Sequence, residues 1–422
     1  MKKYLIALSL LTTLCSCHHD DDEPKDNRAR RTVLVYMAAE NNLNSYATDD
    51  LNEMKTGSLA LAEDQNLIVY VDKANSSTTP YLARIKGGEL VDTVFMEEGL
   101  AADPAVLSRT IRYTKEHYPA KSYGLVLWGH ASGWLISESD SISKPLSRAY
   151  GGSTGNNSSS GSGKYWMNIP QMAKAISNVI GQEKFKFIFG DCCSFSCMEV
   201  AFELRNVVDY VLGSPAEIPD MGAPYDLIVP DMFLETDRFY EQVIDNYYNY
   251  CLRMYKESPR SYYNLTSGDL AGYSVPLSAI KTSELDNFAS ATAQILTTIA
   301  DKLAPPCNLD LTGVTYYAMY GSYRYSYDMN NVLKKNTSAA DYAQWLTAFN
   351  QAVPYHLYSA NWMTNYSRLA NEILTFEAQA EDCGAVSMFF PADTYKSTFP
   401  NWNDAIRQYQ WDNVIRWEQY GW

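Results

Sequence analysis

Short, nearly continuous apolar runs recur through the first half of the chain: residues 32–37 (TVLVYM), 66–71 (NLIVYV), 124–128 (GLVLW) and 185–189 (FKFIF). Runs of this length, apolar on both alternating faces, are what strands covered by helices on each side require. The intervening stretches have helical spacing. Leu51, Met54 and Leu59 mark residues 46–61, Val106, Leu107, Ile111 and Tyr113 mark 104–118, and Pro170 opens a stretch through Met172, Ile176 and Ile180. Strand and helix in this alternation predict an α/β fold with a mostly parallel sheet between helical layers. In such sheets the chemistry sits beyond the carboxyl ends of the strands.

Two of the runs end there on reactive residues. The run 123–128 continues as Gly129-His130-Ala131-Ser132-Gly133-Trp134, and the run from Phe185 continues as Gly190-Asp191-Cys192-Cys193. A thiol attacks a carbonyl as thiolate, so a nucleophilic Cys needs a base within reach, and His130 is the candidate. His117 falls in a polar helix end and reads as a surface residue, while His356, among aromatic residues, reads as a packed core or surface residue. Neighbouring cysteines on a strand face opposite sides, so either Cys193 or Cys192 can be the nucleophile on this ground alone. Asp191, two positions before Cys193, leans to the same side as that thiol. Cys197 lies further on and reads as packed.

The 422 residues carry 34 basic and 49 acidic side chains, a formal charge of −15. No basic stripe is present to neutralise phosphates, which argues against a nucleic-acid partner and favours cationic substrates or peptides. The amino terminus reads as a targeting segment. Lys2 and Lys3 precede an apolar run too short to span a bilayer, and Leu14-Cys15-Ser16-Cys17 resembles a bacterial lipobox with Cys17 as the acylated residue. The expected layout is a signal peptide over 1–17 and a charged tether over 18–30, which places the protein at the bacterial outer membrane or cell surface. Its membrane contact is the lipid alone. The remaining cysteines lack the spacing of a disulfide framework or a structural zinc site.

Between the His and Cys motifs, residues 151–163 are Gly, Ser, Thr and Asn only. That composition predicts a flexible exposed loop within 137–165, flanked by the basic residues Lys144, Arg148 and Lys164. From about residue 229 the chain turns tyrosine-rich with longer helical patterns, at 239–255 and 285–303, and ends with a short late strand at 385–390. The expectation is a catalytic domain over 31–228 and a helix-rich C-terminal subdomain over 229–422.

Several of these segments together resemble the clostripain family of cysteine peptidases, of the caspase-like clan. The opening strand and turn match at Val35-Tyr36-Met37-Ala38-Ala39-Glu40-Asn41-Asn42-Leu43, the His motif at residues 128–134, and the Cys motif at Asp191-Cys192-Cys193 with Met198-Glu199-Val200-Ala201. The resemblance implies a caspase-like α/β/α sandwich and an endopeptidase with Cys193 as nucleophile and His130 as its base. It also implies an oxyanion hole from the backbone N–H groups of Ala131 and Cys193, and cleavage after Arg or Lys. Asp191 would sit at the base of the S1 pocket, with Glu217 or Asp220 as a second acidic wall. Two positions depart from the family pattern, Gly129 where Asp is frequent and Ala131 where Gly is expected.

Family members are often activated by cutting between the two motifs, and Arg148-Ala149 and Lys164-Tyr165 are suitable basic sites for self-cleavage. Some relatives use calcium; no acidic loop of EF-hand spacing is present here, so the sequence assigns calcium no ligands. The alternative is an inactive surface lipoprotein on the same fold, its tyrosine-rich half binding glycans or proteins.

Overall fold

The computed structural model describes residues 26–74, 79–136, 149–155, 158–161, 163–257, 274–320, 323–358, 361–363, 373–375, 383–398 and 401–422. The signal segment with Cys17, and Arg148, lie outside the described residues.

A nine-stranded sheet organises the molecule. Its middle is parallel: β1 (Ala29–Ala39), flanked by β2 (Gln65–Lys73) on one side and by β5 (Ala120–Trp128), β9 (Phe185–Asp191) and β10 (Val208–Gly213) on the other. Antiparallel strands complete both edges. These are β3 (Tyr81–Lys86) and β4 (Glu89–Phe95) beyond β2, and β11 (Leu277–Lys281) and β14 (Tyr355–Leu357) beyond β10.

The apolar runs read from the sequence are these central strands. In β1, Leu34, Tyr36 and Ala38 enter one core, while Val33, Val35 and Met37 enter the other. That split is the period-two alternation of a strand buried on both faces. The first core lies under α2 (Pro104–His117), α3 (Ile169–Ile180), α4 (Met198–Leu204) and α7 (Leu285–Ala300); the second lies under α1 (Tyr46–Ser58), α5 (Tyr225–Met232) and α6 (Phe239–Glu257). The result is a three-layer α/β/α sandwich.

Three smaller expectations need revision. Order begins before residue 31: Ala29 already pairs with Ala120, and Arg30 pairs with Asp64 at 2.6 Å and with Glu235 at 3.2 Å. The sheet also crosses residue 228, since β11 and β14 from the helix-rich half extend it. Helical periodicity in that half hid two short strands, which carry little pattern of their own. The late strand shrinks to Ser387–Met388 and pairs with β13 (Tyr323–Asp328), outside the main sheet, because Cys197, Ser196 and Glu199 engage the same segment.

The largest revision concerns the Gly/Ser-rich stretch. Residues Tyr150–Ser153 form β7, which pairs with β6 (His130–Ala131) and with β8 (Tyr165–Met167). Tyr150 and Ser153 are fully buried, and Thr154 nearly so. The Tyr150 hydroxyl donates to the carbonyls of Tyr36 and Trp128, each at 3.1 Å, which ties the strand to the ends of β1 and β5. Among the described residues of this hairpin, exposure is confined to its tip, from Gly155 to Tyr165. Small residues suit a loop, and they equally suit a strand pressed closely against neighbouring backbone.

Candidate active site

Strand register brings the His and Cys together. Trp128 at the end of β5 pairs with Asp191 at the end of β9, and Gly129 N–H donates to the Asp191 carbonyl at 3.3 Å. His130 and Cys193 are each two residues past that matched pair, on adjacent parallel strands. Neighbouring strands lie about 4.8 Å apart, so such equal overshoot places the two side chains side by side. Both line one cleft together with Leu43, Trp128, Asp191, Ile218 and Asp220.

The two vicinal cysteines part company at this turn. Cys192 is fully buried in the first core, whereas Cys193 is half-buried and packs against the second core, facing the cleft. The Cys193 sulfur accepts from Ile218 N–H at 3.5 Å. Burial raises its thiol above the ordinary range, and the negative charge of Glu217 raises it further. A resting neutral thiol follows. Its proton must then be removed by a base during attack. Cys197 is buried at the start of α4, and none of the six described cysteines is in a disulfide.

The carboxylates divide into wall and floor. Asp191 is buried; it accepts from Ala223 N–H at 3.1 Å and from the Tyr225 hydroxyl at 2.7 Å. Burial pushes its carboxyl up to about 6, against the opposing effect of those two bonds. Each carboxylate oxygen has a further lone pair, so Asp191 keeps acceptor capacity for a ligand. Asp220 lines the cleft mouth, its carboxyl raised by desolvation. Glu217 lies outside the lining and acts on Cys193 through its charge.

Two functional neighbours carried no role in the sequence reading. Asp50 on α1 is buried and accepts from the Trp128 indole N–H; burial, with the charge of Asp191 next, pushes its carboxyl up to about 9. The signal was present, since Ala47, Asp50, Leu51 and Met54 share the buried face of that helix. A side chain at Gly222 would come within 2.8 Å of Asp191 and 3.3 Å of Asp50, and its φ of +64° is one that favours glycine. The second residue, Asn42, accepts through Oδ1 from His130 Nε2 at 2.8 Å. It sits in the turn after β1, a segment recognisable by resemblance but without an assigned task.

At the positions that depart from the family pattern, the backbone accounts for one and accommodates the other. Gly129 has φ of +142°, and a Cβ there would lie 3.1 Å from the Ala38 carbonyl oxygen, so glycine suits this turn. Ala131 lies on β6 opposite Tyr150. Ser132 N–H donates to the Ala149 carbonyl at 3.0 Å, so by the alternation of an antiparallel ladder Ala131 is in a non-bonded register position and its N–H points away from β7. Among the described residues, the other two histidines lie outside the cleft. His117 is exposed and stacks on Tyr113, and His356 is shielded on β14 near Phe349.

The clostripain family model matches residues 35–420. The chain belongs to the clostripain family of cysteine proteases. It is similar to a secreted C11 cysteine protease of Bacteroides thetaiotaomicron, solved with an irreversible peptide inhibitor, at 27% identity over 92% of this chain and 100% of that one, with a TM-score of 0.70. It is also similar to an inactive zymogen C11 protease of Parabacteroides distasonis, at 25% identity over 92% and 98% of the two chains, again with a TM-score of 0.70. Clostripain of Hathewaya histolytica matches at 25% identity over 231 residues, which is 48% of this chain and 42% of that protein.

Among the described residues, no group of three or more His, Cys, Asp or Glu side chains is placed to hold a metal ion. No described helix is long and apolar enough to cross a membrane.

Proposed function

We propose that this member of the family is an endopeptidase that cleaves after Arg or Lys, with Cys193 as nucleophile and His130 as base. The observation that carries the reading is the shared cleft, in which these two residues meet Asp191 and Asp220. His130 takes the thiol proton as sulfur attacks the carbonyl carbon, then returns it to the leaving amine. The oxyanion that forms is held by the N–H groups of Ala131 and Cys193. Asp191, aided by Asp220 at the mouth, receives the cationic P1 side chain through charge-assisted hydrogen bonds. An acidic protein of net charge −15 also draws in such substrates.

The cleft that holds these residues has a volume of ≈ 30 Å³. Self-cleavage after Arg148 or Lys164 is the proposed activating step. Ala149, the residue after Arg148 in the sequence, is buried, and its carbonyl accepts from Ser132 N–H at 3.0 Å. Lys164 is exposed at the hairpin tip, with Tyr165 beginning β8. Calcium is assigned no step. The enzyme is placed outside the cytoplasm on a lipid attached to Cys17. An inactive binding lipoprotein is the less supported reading, because the cleft retains both the thiol and the imidazole.

The test is hydrolysis of fluorogenic peptides with Arg, Lys, Ala or Asp at P1, by the full chain and by Cys193→Ala. Cleavage after Arg or Lys by the parent alone is expected; preference for Asp or Ala, or equal cleavage by the variant, contradicts the reading. Arg148→Ala and Lys164→Ala, each compared for spontaneous chain scission, identify the activating bond.

A further inference from the structure

We propose that Asn42 is the positioning residue of His130, holding its ring in the tautomer that leaves Nδ1 as the basic nitrogen. The inference rests on the reading of His130 as the base. The Asn42 Oδ1 atom lies 2.8 Å from His130 Nε2. A carbonyl oxygen only accepts, so Nε2 carries the hydrogen and, in the neutral ring, the lone pair resides on Nδ1. The same bond stabilises the imidazolium after Nδ1 takes the thiol proton, because Nε2 remains a donor in both states. The ring is thereby oriented and its basic atom selected with one contact.

Asn42 is itself held in place. Its backbone N–H donates to the Gly161 carbonyl at 3.0 Å, at the tip of the Gly/Ser-rich hairpin. Next to it, the Asn41 side chain donates to the Ala38 carbonyl at 2.9 Å and to the carbonyls of Gly151 and Gly152 at 3.3 Å each, while its Oδ1 accepts from Leu43 N–H at 2.9 Å. On the other side, Thr154 N–H and its hydroxyl engage Glu40 at 3.0 and 2.9 Å. Trp166 of β8 closes the His130 ring from a centroid distance of 6.3 Å. The hairpin is thus bonded to the turn that carries Asn42, and a cut in the hairpin acts on His130 through it.

Titratable groups sharing the cleft with the ring are Asp191 and Cys193 from the β9 turn and Asp220 from the loop after β10; Glu217 acts on Cys193 through its charge, and Glu40 of the β1 turn is bonded to Thr154. A substitution at position 42 must be read against this fixed background. Asn42 is exposed, so replacing it leaves the core intact.

The direct test is nitrogen NMR of ¹⁵N-histidine-labelled full chain carrying Cys193→Ala, with and without Asn42→Ala. The expected parent signal is a His130 ring protonated at Nε2 and bare at Nδ1, and a tautomer mixture when Asn42 is lost. In the active chain, Asn42→Ala is expected to lower kcat roughly 10- to 100-fold with KM within about twofold, as for a weakened general base. Asn42→Asp, which can only accept, restores most of kcat and moves the acid limb of the rate profile to higher pH, because a carboxylate favours the imidazolium. A parent ring protonated at Nδ1, or an Asn42→Ala enzyme with unchanged kcat and pH profile, overturns the proposal. The tautomer measurement needs no substrate, so it decides the role of Asn42 even if the chain cleaves no peptide.

Discussion

The two arms of the active site are built in opposite ways. One arm is the pair of strand ends β5 and β9, where apolar runs with matched register project His130 and Cys193 from the most buried part of the sheet. The other is the β7–β8 hairpin, made largely of small polar residues, which reaches the same histidine from outside through β6, Trp166 and the Asn42 turn. The first arm fixes which atoms can react. The second borders them and carries Lys164, one of the proposed cleavage sites. Rigidity at the nucleophile and adjustability at its cover are consistent with a protease made in a restrained form.

Substitutions at the two vicinal cysteines probe the first arm most severely. Cys193→Ala is expected to lower kcat/KM by roughly four orders of magnitude or more, as loss of a covalent nucleophile does. Cys192→Ala should retain kcat/KM within about tenfold and lose about 1 kcal/mol of stability from the first core, read by denaturant titration. The reverse ranking would break the assignment of faces. Next in size is Asp191→Asn, for which cleavage after Arg should fall about 100-fold while cleavage of a neutral-P1 peptide changes little, since a charge-assisted bond is lost. Equal losses on both substrates would make Asp191 a purely structural residue.

The second arm is tested by stability. Thr154→Ala removes a buried hydroxyl bond to Glu40 and should cost about 1 to 2 kcal/mol, whereas Ser159→Ala at the exposed tip should stay within about 0.5 kcal/mol. Two indistinguishable unfolding curves would restore the picture of a plain loop.

A separate test is one of protonation. The Asp50 carboxyl is raised to about 9 in the fold from its ordinary 3.8, so its protonated form is favoured. The stability it contributes is complete below the ordinary value and is lost as pH rises toward about 9. The thermal midpoint should therefore fall from acidic to alkaline pH, and less steeply in Asp50→Asn, which keeps an acceptor for the Trp128 indole. Asp191, raised to about 6, adds to the same fall in both proteins.

Legibility in the sequence followed the same division. The central strands, the helices opening at Tyr46, Pro104 and Phe239, and the reactive pair were readable because burial on two faces writes a pattern into the residues themselves. The Gly/Ser stretch misled because composition reports conformational freedom, not whether neighbouring backbone uses it: Tyr150 and Ser153 are buried by partners distant in sequence. Strands β11 and β14 were hidden in the same way, being short and stabilised by the sheet edge they join. Asp50 was legible in principle as a carboxylate on an apolar helix face. Asn42 was not, since a polar residue in a turn has no pattern to distinguish a hydrogen bond to His130 from one to water.

The central claim is that Cys193, beside His130 and above Asp191, is the nucleophile of an Arg- or Lys-directed protease. Its most direct test is peptide mapping by mass spectrometry after reaction with an irreversible thiol-directed peptide inhibitor bearing Lys or Arg at P1. A single adduct on Cys193, abolished by excess Arg substrate and absent with an Asp-P1 inhibitor, is the predicted result. An adduct on Cys192, or labelling indifferent to the P1 residue, would contradict it.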